Sequence, residues 1–295
     1  HDHVADASLA MEVLEGVSPQ LIHSVRDLLH AGRAKKLIQL TSPLQPADLA
    51  VLIEHFSPDE RALFFSLVKS QFNFDVLLEL SDHVRQEVVR LIGIKDLSKR
   101  LAELDSDDAF FLIDELTPEQ QVEILAAIPA AARASFEKIL SYPEHSAARL
   151  MQQELVAVPS FWKVGDVVKY IQQSEVVPDT FYEVYVVNPK HKVLGSVAIS
   201  KLLRYQWSMA IKDIMKTDIK PIPAFADQEE VAYLFRHYNL VSAPVEDESG
   251  RVIGMITSDD VVEVIEEEAE KDILQLAGVS ETDFTAPFFV TSSHR

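Results

Sequence analysis

Apolar residues recur at helical spacing in short segments across the first half of the chain, from residue 5 to about residue 140. Residues 57–60 and 117–120 each place Ser or Thr before a proline and end on Glu or Gln, which predicts two capped helix starts. Similar apolar segments, 48–54 and 108–114, precede these starts and repeat at the same offset as the starts themselves. Helix pairs repeated in this way cannot bury their apolar faces alone, so we predict a stacked, right-handed helical-repeat superhelix.

From about residue 146 the pattern changes to short β-branched strands that alternate with helices. Residues 158–161 match 222–225 at an offset of 64, whereas residues 192–195 match 251–254 at an offset of 59. The second half therefore contains two copies of one unit, and the first copy has five more residues (64 − 59), which we place at 175–181. Each copy predicts a β-α-β-β-α unit, so the fold class is α in the first half and α/β in the second.

Residues 259–276 form one continuous helical pattern with two different faces. The predicted apolar stripe consists of Val262, Ile265, Ala269, Ile273 and Leu276. The other face carries Glu263, Glu266, Glu267 and Glu270. Like charges three or four residues apart destabilise an isolated helix by about 0.2–0.5 kcal/mol per pair. The stripe therefore predicts a packing partner, and the acidic face predicts either solvent or a positive counter-charge.

Composition narrows the class of protein. With 295 residues, of which 47% are apolar, the chain is long enough for two or three domains with their own cores. The net charge of −20 disfavours a nucleic-acid partner and favours cations or basic proteins. The absence of cysteine excludes disulfides and thiolate metal sites. There is no apolar run of about 18 residues and no signal-peptide pattern, so we expect a soluble chain, and its start at His1 suggests a fragment.

Acidic residues are concentrated in two segments. Residues 103–123 contain eight Asp or Glu and no Lys, Arg or His, and residues 246–283 contain thirteen against two Lys or Arg. A helix dipole favours negative charge in a first turn, as at Asp107 and Asp108, but this does not explain Glu115. The two segments therefore predict surfaces that attract cations.

The second copy ends on residues 254–260, Gly-Met-Ile-Thr-Ser-Asp-Asp, which resembles the ending of a CBS motif. In CBS domains the hydroxyl and the Asp of this ending can bind an adenine nucleotide, so the resemblance implies a nucleotide site at Thr257 and Asp260, together with Pro244. The first copy has Ala198 and Lys201 at the matching positions and departs from the motif. The alternative interpretation is a helix cap, in which Thr257 bonds the amides that follow it.

The order of a helical-repeat module, two CBS motifs and a Glu-rich helix resembles the cytosolic part of MgtE-type magnesium transporters. The most specific segments are 142–144 with 150–151, 156–159, 227–232 and 264–273. The sequence departs from the family at 147–149, where a pair of glycines is expected, and at 152–153, where Thr-Pro is expected. The resemblance covers nearly the whole chain, and it implies a sensor region followed by a membrane-spanning pore beyond Arg295.

The resemblance implies a helical-repeat N domain (1–141), a first CBS motif (142–209), a second CBS motif (210–260), and an acidic connecting helix with its tail (261–295). It implies Mg²⁺ in acidic seams between these parts, which suits a cation that prefers oxygen ligands and keeps most of its waters. The implied metal ligands are Asp105, Asp107, Asp108, Glu115, Asp227, Asp247, Glu263, Glu266, Glu267 and Glu270.

The same resemblance implies partners and a location. The partners are a second copy of the chain, in a homodimer, and the membrane domain of the same transporter, and no nucleic acid is expected. The location is the cytoplasmic face of the cell membrane. The implied ligands are Mg²⁺ and ATP or another adenine nucleotide, with high internal Mg²⁺ closing the domains and shutting the pore.

Three other functions stay open at this point. One is an adenine-nucleotide sensor for a different partner, with the acidic surface merely solvated. The second is a protein-docking scaffold built on the helical repeats. The third is an enzyme, but the sequence has no Gly-x-Ser-x-Gly, no His-Glu-x-x-His, no glycine-rich phosphate loop and no cysteine nucleophile, so we expect a non-enzymatic protein.

Overall fold

The computed structural model describes residues 17–69 and 71–276, and the side chains of residues 270, 272 and 274–276 lie outside its described part. The chain folds into two compact units, which meet in sequence between Phe136 and Glu137. Within the described ranges, no helix combines the length and the apolar character that crossing a membrane requires.

The first unit is helical, with no strand among its described residues. Its helices are α1 (Pro19–His30), α2 (Ala34–Thr41), α3 (Pro46–Glu54), α4 (Pro58–Val68), α5 (Val76–Glu79), α6 (Asp82–Ile92), α7 (Ile94–Arg100), a 3₁₀ turn (Leu101–Glu103), α8 (Ser106–Asp114), α9 (Pro118–Ala127) and α10 (Ala130–Leu140). The sequence boundary between the two units falls inside α10.

Local sequence explains where the two capped helices of the repeat begin. Ser57 and Thr117 each accept a hydrogen bond from the backbone N–H three residues later, and Glu60 and Gln120 accept one from the backbone N–H of the cap residue. Both predicted capping boxes are therefore confirmed. The repeat is confirmed as well, since α3 corresponds to α8 and α4 to α9 at one common offset.

Apolar side chains from successive helices form the core of the first unit. The fully buried ones include Leu29, Leu52, Ile53, Phe64, Leu77, Leu97, Leu112 and Ile113. Two arginines close helix ends: Arg85 donates to the carbonyls of Leu77 and Leu80, and Arg133 donates to those of Leu125 and Ile128. These donors satisfy carbonyls that a helix end leaves without intrahelical partners, so each arginine ties one helix to the end of the preceding one.

The second unit contains two three-stranded sheets of the same topology, β1-β2-β3 and β4-β5-β6. Its elements are α11 (Ala147–Leu150), β1 (Ala157–Pro159), α12 (Val164–Gln173), β2 (Glu183–Val187), β3 (Val193–Ala198), α13 (Ile199–Leu202), α14 (Ile211–Ile214), β4 (Ile222–Pro223), α15 (Gln228–Tyr238), β5 (Ser242–Glu246), β6 (Val252–Thr257) and α16 (Ser258–Leu276). In each sheet the first strand pair is parallel and the second is antiparallel.

The predicted duplication is confirmed element by element. Helices α12 and α15 start 64 residues apart, which is the larger predicted offset. Strands β2 and β5 start 59 residues apart, the smaller predicted offset, and so do strands β3 and β6. The extra residues of the first copy lie in the predicted segment between α12 and β2. Residues 174–182 form this connection, whereas only residues 239–241 connect α15 to β5.

The two motifs exchange their leading segments. Gln152, in the segment of the first motif that leads into β1, forms two backbone hydrogen bonds with Met255 in β6 of the second motif. Lys216, in the segment of the second motif that leads into β4, forms two with Ser196 in β3 of the first. Each sheet is therefore completed by the leading segment of the other motif, and the pair is interlocked.

The packed face of α16 differs from the predicted apolar stripe. Val261 and Val264 are buried, whereas Val262 is 53% exposed and Ile273 is 65% exposed. The prediction that this stripe packs against the rest of the unit is therefore wrong. The side chain of Leu276, the last residue of the stripe, lies outside the described part. The reason is that α16 follows β6 with no intervening residue, so the strand sets the rotation of the helix, and a shift of one residue turns the helix by about 100°.

We predict that Gly254→Ala destabilises the second unit more than Gly195→Ala. A Cβ at Gly254 would lie 2.5 Å from the backbone oxygen of Gln152, whereas at Gly195 the nearest backbone atom, the oxygen of Lys216, would lie 2.9 Å away and the closer contact, at 2.5 Å, is with the movable Sδ of Met215. Overpacking of this kind costs about 1–3 kcal/mol. Calorimetric melting measures both variants, with the exposed turn variant Lys190→Ala as the control. Wild-type melting of Gly254→Ala would show that the crossing tolerates a side chain.

Candidate metal and nucleotide sites

Three of the predicted metal ligands meet at the start of α8. Asp105 is the residue before the helix, and Asp107 and Asp108 lie in its first turn. One carboxylate oxygen from each of the three residues lies within 4.8 Å of the other two. The N-terminal end of a helix carries partial positive charge, which stabilises this concentration of carboxylates. The cluster presents hard oxygen donors, the ligands that Mg²⁺ prefers.

The next predicted ligand, Glu115, lies at the opposite end of the same helix. A nine-residue helix is about 13 Å long, so Glu115 does not share an ion with the three aspartates. Its Oε2 lies 3.7 Å from Nη1 of Arg85, whose guanidinium also stacks on the ring of Phe111 at 4.7 Å. Basic residues from outside the segment 103–123 therefore reach its acids, which the local sequence could not show.

The acidic face of α16 carries the second predicted group. Glu263, Glu266 and Glu267 are exposed, whereas Val261 and Val264 on the same helix are buried. The backbone of Glu270 continues the helix, but its side chain lies outside the described residues. The helix therefore presents carboxylates to its surroundings, as the sequence predicted for this face.

The remaining two predicted ligands have local structural roles. Asp227 caps α15, and its Oδ1 accepts from the N–H of Glu229 at 2.9 Å. Oδ1 of Asp247 accepts from the N–H and hydroxyl of Ser249 and from the N–H of Arg251. Burial disfavours ionisation of Asp247, but these hydrogen bonds outweigh it and hold the pKa of the carboxyl below its ordinary value.

The turn at Asp247 needs a hydrogen-bond acceptor at this position, but the acceptor does not have to be charged, as the first motif shows. Asn188 is the counterpart of Asp247 at the offset of 59, and its Oδ1 accepts from the N–H groups of Lys190 and Lys192. An amide and a carboxylate thus do the same work in the two motifs. A metal role for Asp247 has to compete with its role in the turn.

Thr257 and Asp260, the predicted nucleotide-binding residues, cap the start of α16, but with different hydrogen bonds from those of the predicted cap. Thr257, only 4% exposed, donates its N–H and its hydroxyl to Oδ2 of Asp260, at 2.9 and 2.8 Å. The carboxylate of Asp260 is therefore the acceptor, whereas the alternative interpretation had Thr257 accepting from later amides. Pro244 is buried in β5, opposite Met255 of β6.

A polar cluster that sequence reasoning missed connects α15 to α16. Nε2 of Gln228, a residue 3% exposed, donates to Oε1 of Glu268 at 2.6 Å, and Nζ of Lys271 donates to the same oxygen at 3.1 Å. Nδ1 of His145 lies 3.2 Å from Oε1 of Gln228. The hydrogen bond from Gln228, opposed by burial and assisted by Lys271 and Glu229, lowers the pKa of Glu268. Since Gln228 and Glu268 lie on different elements far apart in the sequence, no local pattern could have signalled this contact.

A second missed network joins the two sheets. The hydroxyl of Tyr185 in β2 lies 2.8 Å from the hydroxyl of Ser242 in β5, and Ser242 donates to Oε2 of Glu183 at 3.0 Å. Burial raises the pKa of the Tyr185 hydroxyl, which therefore stays protonated as a donor. The network crosses between the motifs beside their interlocked segments.

Comparisons with known proteins match both units. Residues 44–145 match the family described as the MgtE intracellular N domain, and residues 211–267 match the CBS domain family. The magnesium transporter MgtE of Bacillus subtilis (strain 168) is 26% identical over 258 residues, which are 88% of this chain and 57% of that protein. The magnesium transporter MgtE of Thermus thermophilus is 28% identical over 267 residues, which are 90% of this chain and 59% of that protein. The chain thus spans less than two thirds of either relative.

Two solved structures have the same fold. A crystal structure of the cytosolic domain of the Mg²⁺ channel MgtE in complex with ATP has a TM-score of 0.76 at 27% identity, covering 82% of this chain and 99% of that one. A crystal structure of the soluble part of a magnesium transporter has a TM-score of 0.74 at 20% identity, covering 85% of this chain and 98% of that one. A helical N domain followed by a CBS pair, predicted from the sequence, is thereby confirmed.

Proposed function

The chain belongs with the cytosolic parts of MgtE-type magnesium transporters, and we propose that it senses Mg²⁺ and regulates the pore of such a transporter. The observation that carries this proposal is the cluster of Asp105, Asp107 and Asp108, whose oxygens lie within 4.8 Å of one another inside the segment that matches the MgtE N domain. Carboxylates at this distance suit a cation that binds through few protein oxygens and retains its waters.

Charge repulsion supplies the mechanism. At an effective dielectric constant of about 20, two carboxylates about 4 Å apart repel by about 4 kcal/mol, more than a small polar contact between domains usually supplies. In this proposal, Mg²⁺ bound by the acids of the first unit and of α16 neutralises the repulsion and stabilises a closed arrangement. When Mg²⁺ is scarce, the same repulsion favours an open ensemble.

The helix α16 connects the sensor to the pore in this proposal. At high internal Mg²⁺ the closed arrangement holds α16 where it shuts the pore, so that Mg²⁺ limits its own uptake. The partner is the membrane domain of the same transporter, at the cytoplasmic face of the membrane. The curated relatives are named as transporters, and we propose no catalytic role.

We predict that millimolar Mg²⁺ lowers the radius of gyration of the chain and raises its melting temperature, whereas NaCl of equal ionic strength does much less. Screening treats the two salts alike, so the difference between them reports binding. Small-angle X-ray scattering and calorimetry measure the two effects. The same compact shape in EDTA and in about 20 mM Mg²⁺ would rule out the sensor mechanism.

Variants that replace carboxylates with amides show which acidic residues bind Mg²⁺. Asp107→Asn with Asp108→Asn, and separately Glu263→Gln with Glu267→Gln, should raise the Mg²⁺ midpoint by about tenfold or more, because each pair removes oxygen ligands that carry charge. Glu119→Gln with Glu123→Gln is the matched control, since it removes the same charge from the same acidic segment at exposed positions. An equal shift in the control pair would mean that net charge, and not the cluster, sets the midpoint.

An adenine nucleotide is the second ligand in this proposal. The observation that favours it is that the solved MgtE cytosolic domain, 27% identical to this chain, is in complex with ATP. Thr257 and Asp260 supply a hydroxyl and a carboxylate in the second motif, whereas Ala198 and Lys201 supply neither in the first. We therefore propose one nucleotide site per chain, beside Thr257, Asp260 and Pro244.

We predict that Asp260→Ala abolishes ATP binding in isothermal titration calorimetry, because the ribose loses its acceptor. The variant also loses the cap of α16, which costs about 1 kcal/mol, so its melting temperature is measured in parallel. Lys201→Ala, at the matching position of the first motif, is the control and should bind as the wild type does. Unchanged binding to Asp260→Ala would leave the helix cap as the function of this pair.

We also propose a homodimer, supported by apolar side chains on the outer helices of the second unit. Tyr233 on α15 and Val262 on α16 are each 53% exposed, and a twofold interface uses one such patch twice. We predict that light scattering in Mg²⁺ gives twice the 33.1 kDa mass of the chain, and that Tyr233→Arg shifts it toward 33.1 kDa. A wild-type monomer at tens of micromolar protein would contradict the dimer.

A further inference from the structure

Among the side chains that the structure describes, the buried apolar ones of α16 lie near its beginning. Val261 and Val264, in the first two turns, are buried at 2% and 3% exposure. Further along the helix, among the side chains that the structure describes, Ala269 and Ile273 are exposed. The course of this 19-residue helix beyond its second turn therefore depends on further contacts, among which polar ones are described.

The next residue on the packed face is Glu268, one turn beyond Val264. Its partner is Gln228, the first residue of α15, whose side chain is almost completely buried and donates from Nε2 to Oε1 of Glu268 at 2.6 Å. This bond is partly buried, and a hydrogen bond to a charged acceptor is stronger than one to a neutral acceptor. Contact between the two helices thus continues past the valines through a polar bond.

The chemistry of the groups gives this contact a direction. An ionised carboxylate only accepts hydrogen bonds, so the amide of Gln228 must turn its NH₂ toward Glu268 and its oxygen toward His145. The backbone carbonyl of His145 also accepts from the N–H of Gln228 at 2.8 Å. Gln228 is therefore fixed from one side by the segment at His145 and holds α16 from the other.

The first motif shows that the fold does not require a polar residue here. Val164 is the counterpart of Gln228, at the same first position of the equivalent helix α12, and it is fully buried in an apolar cluster. The helix that follows β3 in that motif, α13, has only four residues. A buried glutamine thus occurs in the motif that carries the long acidic helix, and an apolar residue occurs in the motif that lacks one.

We propose that Gln228 is a positioning residue that clasps Glu268 and thereby sets the direction of α16 beyond its second turn. The clasp determines where Glu266 and Glu267 are held, since they share a helical turn with Glu268. The consequence for Mg²⁺ rests on the proposed function: without the clasp, the distal carboxylates of α16 have to be ordered by the ion itself.

Amide hydrogen exchange of the 295-residue chain without Mg²⁺ tests the clasp directly. Gln228→Val, which installs the residue of the first motif, should speed exchange at residues 268–276 about tenfold to a hundredfold, with little change at 259–264 or in β5 and β6. Glu268→Gln keeps an acceptor for Gln228 but removes its charge, so its exchange at residues 268–276 should lie between those of the wild type and Gln228→Val. Unchanged exchange at 268–276 in Gln228→Val overturns the proposal, as does an equal rise throughout β5, β6 and α16, which would indicate general destabilisation.

The Mg²⁺ midpoint of closure then tests the consequence. Because ordering α16 would cost part of the binding free energy, Gln228→Val should need about tenfold more Mg²⁺ than the wild type. If the wild type shows no response to Mg²⁺, the proposed function fails while the exchange result still decides the clasp. If the wild type responds and Gln228→Val has the same midpoint, the clasp does not serve the acidic face.

Discussion

The second unit depends on two places where one backbone crosses another with no room for a side chain between them. The segment at Gln152 pairs with β6 over Gly254, and the segment at Lys216 pairs with β3 over Gly195. Each crossing uses the leading segment of one motif to complete the sheet of the other, so neither sheet is complete alone. The direct β6–α16 connection then transmits this arrangement to the acidic helix, because no linker residue relaxes the rotation that the strand imposes.

The acidic residues of the chain are held in place by ordinary folding interactions before any cation is considered. The positive end of α8 gathers Asp105, Asp107 and Asp108, while Asp247 shapes a turn that Asn188 shapes equally well in the first motif. At the start of α8, one carboxylate oxygen from each of three residues lies within 4.8 Å of the other two, whereas the turn at Asp247 holds a single carboxylate. The α8 cluster is therefore the stronger candidate for Mg²⁺.

The two CBS motifs share a backbone and have diverged in their chemistry. The second has Thr257 and Asp260 where the first has Ala198 and Lys201, and it has Gln228 where the first has Val164. All three second-motif residues hydrogen-bond at or along α16: Asp260 and Thr257 at its start and Gln228 at its middle. The polar residues of the second motif thus hold the long helix, and two of them, Thr257 and Asp260, also belong to the proposed nucleotide site.

The sequence by itself determined the features that depend on neighbouring residues and on repetition. These are the capping boxes, the helical repeat of the first half, the paired offsets of 64 and 59, and the meeting of three aspartates within one helical turn. Only the tertiary structure decided which face of α16 packs, that Arg85 reaches Glu115, and that Gln228 reaches Glu268. Helical periodicity does not show which of two apolar faces, shifted by one residue, packs against the rest of the protein. It also carries no information about contacts between residues that the fold brings together from distant parts of the chain.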